Sequence, residues 1–190
     1  MKIGLYFGSF NPIHTGHLII ANHVANTNLV QQVWMVVSPQ NPLKPSKSLL
    51  NEYHRLHLAQ LATANNSLLK VSDVEFKLPK PSFTIDTLTY LVEKYPKYEF
   101  SIIVGSDSFQ NLPRWKNYEL LLKQFAFLVY ERPNFPVTEF KEALSITTLQ
   151  APLLEISATY IRENIREGKS IQYIVPDLVA KEIEDNGYYK

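Results

Sequence analysis

Along the chain, short apolar runs that alternate with period two take turns with stretches of helical periodicity. Ile3, Leu5 and Phe7 alternate through Lys2 to Phe7, and similar runs follow at Val33 to Val37, Leu69 to Val74, Phe100 to Val104 and Phe125 to Tyr130. Helical patterns lie between them at His17 to Ala25, Asn51 to Ala64, Ile85 to Lys94 and Tyr118 to Lys123. Alternation of this kind builds βαβ units, because parallel neighbours need a crossover and the crossover covers a face of the sheet. The pattern predicts an α/β fold, a Rossmann-like doubly wound parallel sheet with helices on both faces. No linker, repeat or low-complexity segment interrupts it, so residues 1–190 read as one domain with a small helical part from about residue 157. There Ser157 is a candidate N-cap for a helix that runs to Glu167 and stops at Gly168. Pro176 sits at the start of a last helix that reads as packing.

Composition narrows the class. Hydrophobic residues make up 45% of the chain and charged residues 19%, a globular rather than a disordered profile. A net charge of +1 gives no global basic field, so a nucleic-acid partner is not expected. The absence of cysteine excludes disulfides and thiolate metal sites. The apolar start is broken at Asn11-Pro12 and does not read as a secretory signal, and no apolar run approaches the roughly 18 residues of a membrane span. A cytoplasmic enzyme without a membrane partner is the expectation.

Open parallel sheets bind ligands beyond the carboxyl ends of their strands, and there the unusual residues gather. The first strand leads into Y-F-G-S-F-N-P-I-H-T-G-H, Tyr6 to His17, where His14 and His17 stand three apart at a helix start and Gly16 permits close backbone approach. The free N–H groups and partial positive charge of a helix N-terminus make phosphate the natural guest. The second strand runs into S-P-Q-N-P-L-K-P, carrying Asn41 and Lys44. The third leads through Lys80-Pro81-Ser82-Phe83-Thr84 into a helix, the fourth opens to Gly105-Ser106-Asp107 with Trp115 close behind, and the fifth ends at Glu131-Arg132-Pro133. Near the C-terminus, Ser157, Thr159 and Arg162 project from the first turns of a helix and make a second anion site. Plainer readings exist for single residues. Asp107 also suits a short helix start, Trp115 a half-buried lid, and Arg166 a solvated helix face. His54 and His57 have metal-compatible spacing but no third ligand, and read as a packed or solvated face. Neither G-x-G-x-x-G nor a P-loop motif is present.

The H-T-G-H element, preceded by Ser9, resembles the H-x-G-H signature of the nucleotidyltransferase superfamily. With S-P-Q-N-P-L-K-P, P-S-F-T-I-D-T-L, V-G-S-D-S-F-Q-N-L-P-R-W-K and I-S-A-T-Y-I-R, the likeness spans nearly the whole chain. It is similar to the nicotinate-nucleotide adenylyltransferase family of bacteria. That resemblance implies transfer of AMP from ATP to nicotinate mononucleotide by direct in-line attack, with Mg²⁺ carried mainly on the substrate phosphates and no protein metal site. It implies catalytic roles for His14, His17 and Arg162. Gly8, Ser9, Phe10, Gly16, Gly105, Asp107, Ile156, Ser157 and Thr159 fall on the ATP side. Asn41, Lys44, Phe83, Thr84, Trp115 and Arg132 fall on the mononucleotide side. The family often has aspartate where Asn11 stands, tyrosine where Phe83 stands and serine where Ala158 stands. A phosphopantetheine adenylyltransferase and a non-catalytic nucleotide sensor are the alternatives, and a homo-oligomer is compatible with the sequence.

Overall fold

The computed structural model describes residues 1–40, 42, 49–137, 140, 143–152 and 154–190. Among them are the strands β1 (Lys2–Gly8), β2 (Gln32–Val37), β3 (Leu69–Ser72), β4 (Glu99–Gly105), β5 (Ala126–Tyr130) and β6 (Ser145–Leu149). The helices are α1 (Thr15–Ala25), α2 (Glu52–Thr63), α3 (Thr84–Lys94), the single turn α4 (Ser106–Phe109), α5 (Tyr118–Gln124), α6 (Ala158–Arg166) and α7 (Asp177–Asp185). The strands form one sheet in the order β3-β2-β1-β4-β5-β6, every neighbouring pair parallel. This is the doubly wound arrangement, and its order reverses between β1 and β4.

Period-two alternation explains how one sheet serves two cores. Tyr6, Val33, Met35, Val37, Ile103 and Leu128 face one side, against residues of α1, α2, α6 and α7. Ile3, Leu5, Trp34, Val36, Ile102 and Phe127 face the other, against α3, α4 and α5. The C-terminal helices therefore share the core of α1 and α2: Ile161, Val179 and Ile183 are buried among its residues. Ser157 accepts a hydrogen bond from the Tyr160 N–H, and Gly168 takes the left-handed φ of +67° just beyond α6, as the sequence predicts.

Two elements depart from expectation. β3 stops at Ser72 rather than Val74, because a 3-10 turn over Val74–Lys77 folds Val74 into the core and carries Glu75 inward. β6 was not expected. Its sequence S-I-T-T-L has few apolar positions because it is an edge strand, and only Leu149 is buried. Among the described residues no helix is long and apolar enough to cross a membrane.

Candidate active site

Where the strand order reverses, a cleft of about 370 Å³ opens at the carboxyl ends of β1 and β4. Gly8 and Ser9 line it from β1 and the turn after it, Gly105 from the end of β4, and Phe83, Thr84 and Trp115 from the far wall. On Gly105 a Cβ would stand 2.5 Å from a carboxylate oxygen of Asp107 and 3.0 Å from the Tyr130 ring, so only glycine fits without displacing them. Tyr6 and Tyr130 also line the cleft, their hydroxyls 3.3 Å apart, and burial pushes the Tyr6 phenol pKa up.

The H-T-G-H turn caps α1. The His14 and His17 rings stack with centroids 3.7 Å apart, and the His14 N–H donates to His17 Nδ1 at 3.3 Å. A neutral His17 that accepts at Nδ1 carries its proton on Nε2, where it can donate to an anion. His14 is buried, and its Nδ1 has no partner among the described residues. Burial first, and then the positive charge of Arg132, lower its pKa from the usual 6.5 to about 4, so the ring is neutral at ordinary pH. Phe10 adopts a left-handed φ of 44° and turns its ring into the core, edge-on to His17 at 5.1 Å. A ligand can meet Phe10 only at its backbone.

The other end of the chain closes on this turn. Arg162 donates through Nη1 to the Asn11 carbonyl at 2.7 Å and through Nη2 to Thr159 Oγ1 at 3.2 Å. A Cβ on Gly16 would lie 3.1 Å from His14 Nδ1 and 4.0 Å from Ile156, which puts the I-S-A-T-Y-I-R turn against the histidines. The Thr15 N–H donates to the Ile174 carbonyl at 3.0 Å, a second tie between the ends. Arg132 stands beside Asp107, Nε to Oδ1 at 3.2 Å, and donates through Nη2 to the Tyr130 hydroxyl at 3.3 Å. Its charge is felt at His14, so it stands near the H-T-G-H turn.

That wall is built on the start of α3. Phe83 is the N-cap and Thr84 the first helical residue. Beneath them Glu75, only 2% exposed, accepts from Ser82 Oγ at 2.6 Å and Thr87 Oγ1 at 3.0 Å, while burial pushes its pKa up. Lys116 pairs with Asp86 at 2.8 Å and lies 4.9 Å from the Phe83 ring centroid. Half-buried Trp115 lines the same wall. Asn41 and Lys44 lie outside the described residues. His54 meets the Tyr188 hydroxyl at 2.9 Å and His57 lies 3.6 Å from Glu182, so α2 uses both to hold the C-terminal segment.

Sequence reasoning missed Glu75, Tyr130, Lys116 and, above all, Arg55. Arg55 is fully buried on α2, with its guanidinium donating to the carbonyls of Leu50, Ser9, Ser38 and Pro39. An arginine inside H-R-L-H-L carries no local signal of this, since its partners come from two separate loops, one after β1 and one between β2 and α2.

A doubly wound sheet with an imidazole-bearing turn after its first strand, tied to an arginine from the far end, fits the class of nucleotidyltransferases. The cytidylyltransferase-like family model matches residues 5–164. A protein of Flavobacterium psychrophilum, named probable nicotinate-nucleotide adenylyltransferase, is 52% identical over the full length of both chains. A protein of Bacteroides thetaiotaomicron bearing the same name is 40% identical over 97% of this chain and 92% of its own. The structure of the Plasmodium falciparum nicotinic acid mononucleotide adenylyltransferase complexed with NaAD superposes with a TM-score of 0.85 at 25% identity, covering 99% of this chain and 97% of that one. The chain belongs to the nicotinate-nucleotide adenylyltransferase family.

Proposed function

We propose that the protein joins ATP and nicotinate mononucleotide to give nicotinate adenine dinucleotide and pyrophosphate. An oxygen of the mononucleotide 5′-phosphate attacks the α-phosphorus of ATP. The new P–O bond forms as the bond to the bridging oxygen breaks, and pyrophosphate departs with the electron pair. The attacking oxygen is already anionic, so no protein nucleophile or base is required. The chain's work is to hold two like-charged reactants in line and to stabilise charge at the α-phosphate and leaving group. The observation that supports this reading best is the Arg162 bond to Asn11, which ties the turn before α1 to α6 from the opposite end of the sequence.

In this reading His17 Nε2–H, the backbone of Gly8 to Phe10, and Arg162 receive the triphosphate, with His14 a neutral support stacked behind His17. Gly105 and Asp107 border the adenosine side. Arg132, through its pair with Asp107, belongs with the phosphates. The nicotinate ring stacks on Trp115, and the start of α3 at Phe83 and Thr84 offers N–H groups to its carboxylate. Asn41 and Lys44 remain on the mononucleotide side in this assignment. Among the described residues no three His, Asp or Glu side chains converge as a metal site, and the nearby Asp107 is engaged by Arg132. In this reading Mg²⁺ enters as a companion of the ATP phosphates, neutralising their charge. The intended setting is the cytoplasm.

The test is pyrophosphate release from ATP and Mg²⁺ with nicotinate mononucleotide, nicotinamide mononucleotide or phosphopantetheine as acceptor. Release that requires nicotinate mononucleotide supports the reading. Release with phosphopantetheine instead, or with no acceptor at all, overturns it.

A further inference from the structure

Arg55 is the most completely buried cation among the described residues, and nothing in the reaction above uses it. Its Nη1 donates to the Ser9 carbonyl in the turn after β1 and to the Ser38 carbonyl after β2 at 2.8 Å. Nη2 reaches the Pro39 carbonyl at 3.0 Å and Nε the Leu50 carbonyl at 2.7 Å. Among the described residues no carboxylate forms an ion pair with it, and burial holds its pKa below the usual arginine value. A salt bridge that merely stabilised the core would have a carboxylate partner. This guanidinium is instead surrounded by carbonyls from the two loops that open the cleft.

Peptide geometry gives that arrangement a consequence. In a trans peptide the C=O and the N–H point to opposite sides of one plane. The Ser9–Phe10 peptide is trans, since the cis bonds of the described residues are Asn11–Pro12 and Lys80–Pro81. With its Ser9 oxygen drawn inward onto Arg55, the plane must turn the Phe10 N–H outward, on the side where Ser9 lines the cleft. That N–H has no acceptor among the described residues. The left-handed backbone and core-facing ring of Phe10 fit the same constraint, because a ring pinned inward leaves the amide as the only group on offer.

We infer that Arg55 is a positioning residue for the phosphate turn: by binding the Ser9 carbonyl it aims the Phe10 N–H at an ATP phosphate oxygen. The inference rests on the nucleotide-binding reading above and adds to it a residue that never touches substrate. Lysine at this position keeps the charge but cannot span the carbonyls of two loops at once, since it lacks the planar fork.

The test combines Arg55→Lys kinetics with amide NMR of the wild-type protein labelled with ¹⁵N-phenylalanine. In Arg55→Lys, confirmed as folded by circular dichroism, KM for ATP rises about tenfold, as for loss of one preorganised phosphate donor. In the wild type, a non-hydrolysable ATP analogue shifts the Phe10 amide downfield, and in the variant that shift shrinks. An Arg55→Lys protein with a lower melting temperature but unchanged ATP KM and an unchanged Phe10 shift would make Arg55 a core residue only. Should Arg55→Lys not fold, the wild-type amide decides alone: a Phe10 resonance that ignores the analogue while histidine resonances of His14 and His17 respond overturns the inference and spares the nucleotide reading. If neither responds, both fall.

Discussion

The buried imidazole of His14 makes a sharp prediction about acid stability. Its pKa is about 4 in the folded protein against 6.5 for an unburied histidine. Between those values the unfolded chain takes up a proton that the folded chain refuses, so stability falls as pH drops through that window and is unaffected above it. The full difference corresponds to about 3 kcal/mol, and by about pH 5 roughly 2 kcal/mol of it is lost. Burial is the larger cause and the Arg132 charge the smaller, so Arg132→Met should remove only the lesser part of the effect. Carboxylates titrate in the same region, and a comparison with His14→Asn, which keeps N-cap capacity without a titrating ring, isolates the histidine. Urea unfolding of both proteins at about pH 7 and about pH 5 is the measurement, and the variant should lose about 2 kcal/mol less between them. Equal losses would show that His14 is not held neutral by its surroundings, and the picture of a neutral histidine behind the phosphate site would have to go.

Three further outcomes follow from the same geometry. His17→Ala should lower kcat/KM by about a hundredfold or more, about 3 kcal/mol, as for removal of an oxyanion donor, and near-normal turnover would take His17 out of the mechanism. Nicotinate mononucleotide should be preferred over nicotinamide mononucleotide by at least about tenfold in kcat/KM, the worth of a charge-assisted hydrogen bond at the start of α3, and equal turnover would reject that assignment. The Tyr189 hydroxyl is buried without a partner among the described residues, so Tyr189→Phe should be neutral or stabilise by up to about 1 kcal/mol in urea unfolding. A clear loss of stability there would mean that the hydroxyl is bonded in solution.

What the sequence disclosed was whatever is local. The alternation of Ile3, Leu5 and Phe7, the H-T-G-H turn and the Ser157 cap each depend on residues within one or two turns of one another, and each is found where its pattern indicates. The order of the first five strands fits the rule that βαβ units wind around a switch point, while the edge strand β6 left no such pattern. Arg55 and Glu75 were invisible for the opposite reason. Arg55 answers to carbonyls at Ser9 and Ser38, and backbone groups leave no trace in residue identity. Glu75 sits in a 3-10 turn that a strand pattern ending at Val74 conceals, and its hydroxyl partners Ser82 and Thr87 look like ordinary loop and helix residues. The Phe10 ring misleads in the same way: a large apolar residue in a binding motif suggests a contact surface, yet the ring serves the core and leaves only its amide to a ligand.

Four of the basic side chains near the cleft share a feature that bears on catalysis. Arg55 is held by loop carbonyls, Arg132 by Asp107 and Tyr130, Arg162 by Asn11 and Thr159, and Lys116 by Asp86. Long basic side chains lose considerable rotamer freedom when they are fixed, and here that loss is incurred in folding rather than on meeting substrate. Each charge is also partly compensated by a dipole or carboxylate already in place, so the unliganded site is not a cluster of repelling cations. In the function proposed above, a triphosphate meets donors whose directions are set, and its binding does not have to gather them. Preorganisation of this kind favours the transition state over loosely bound ground states, because donors aimed at one charge distribution cannot follow another. It also explains why so little protein chemistry is needed: with the attacking phosphate already ionised and the leaving group a stable anion, the remaining barrier is one of alignment and charge, which a rigid array of N–H groups is suited to lower.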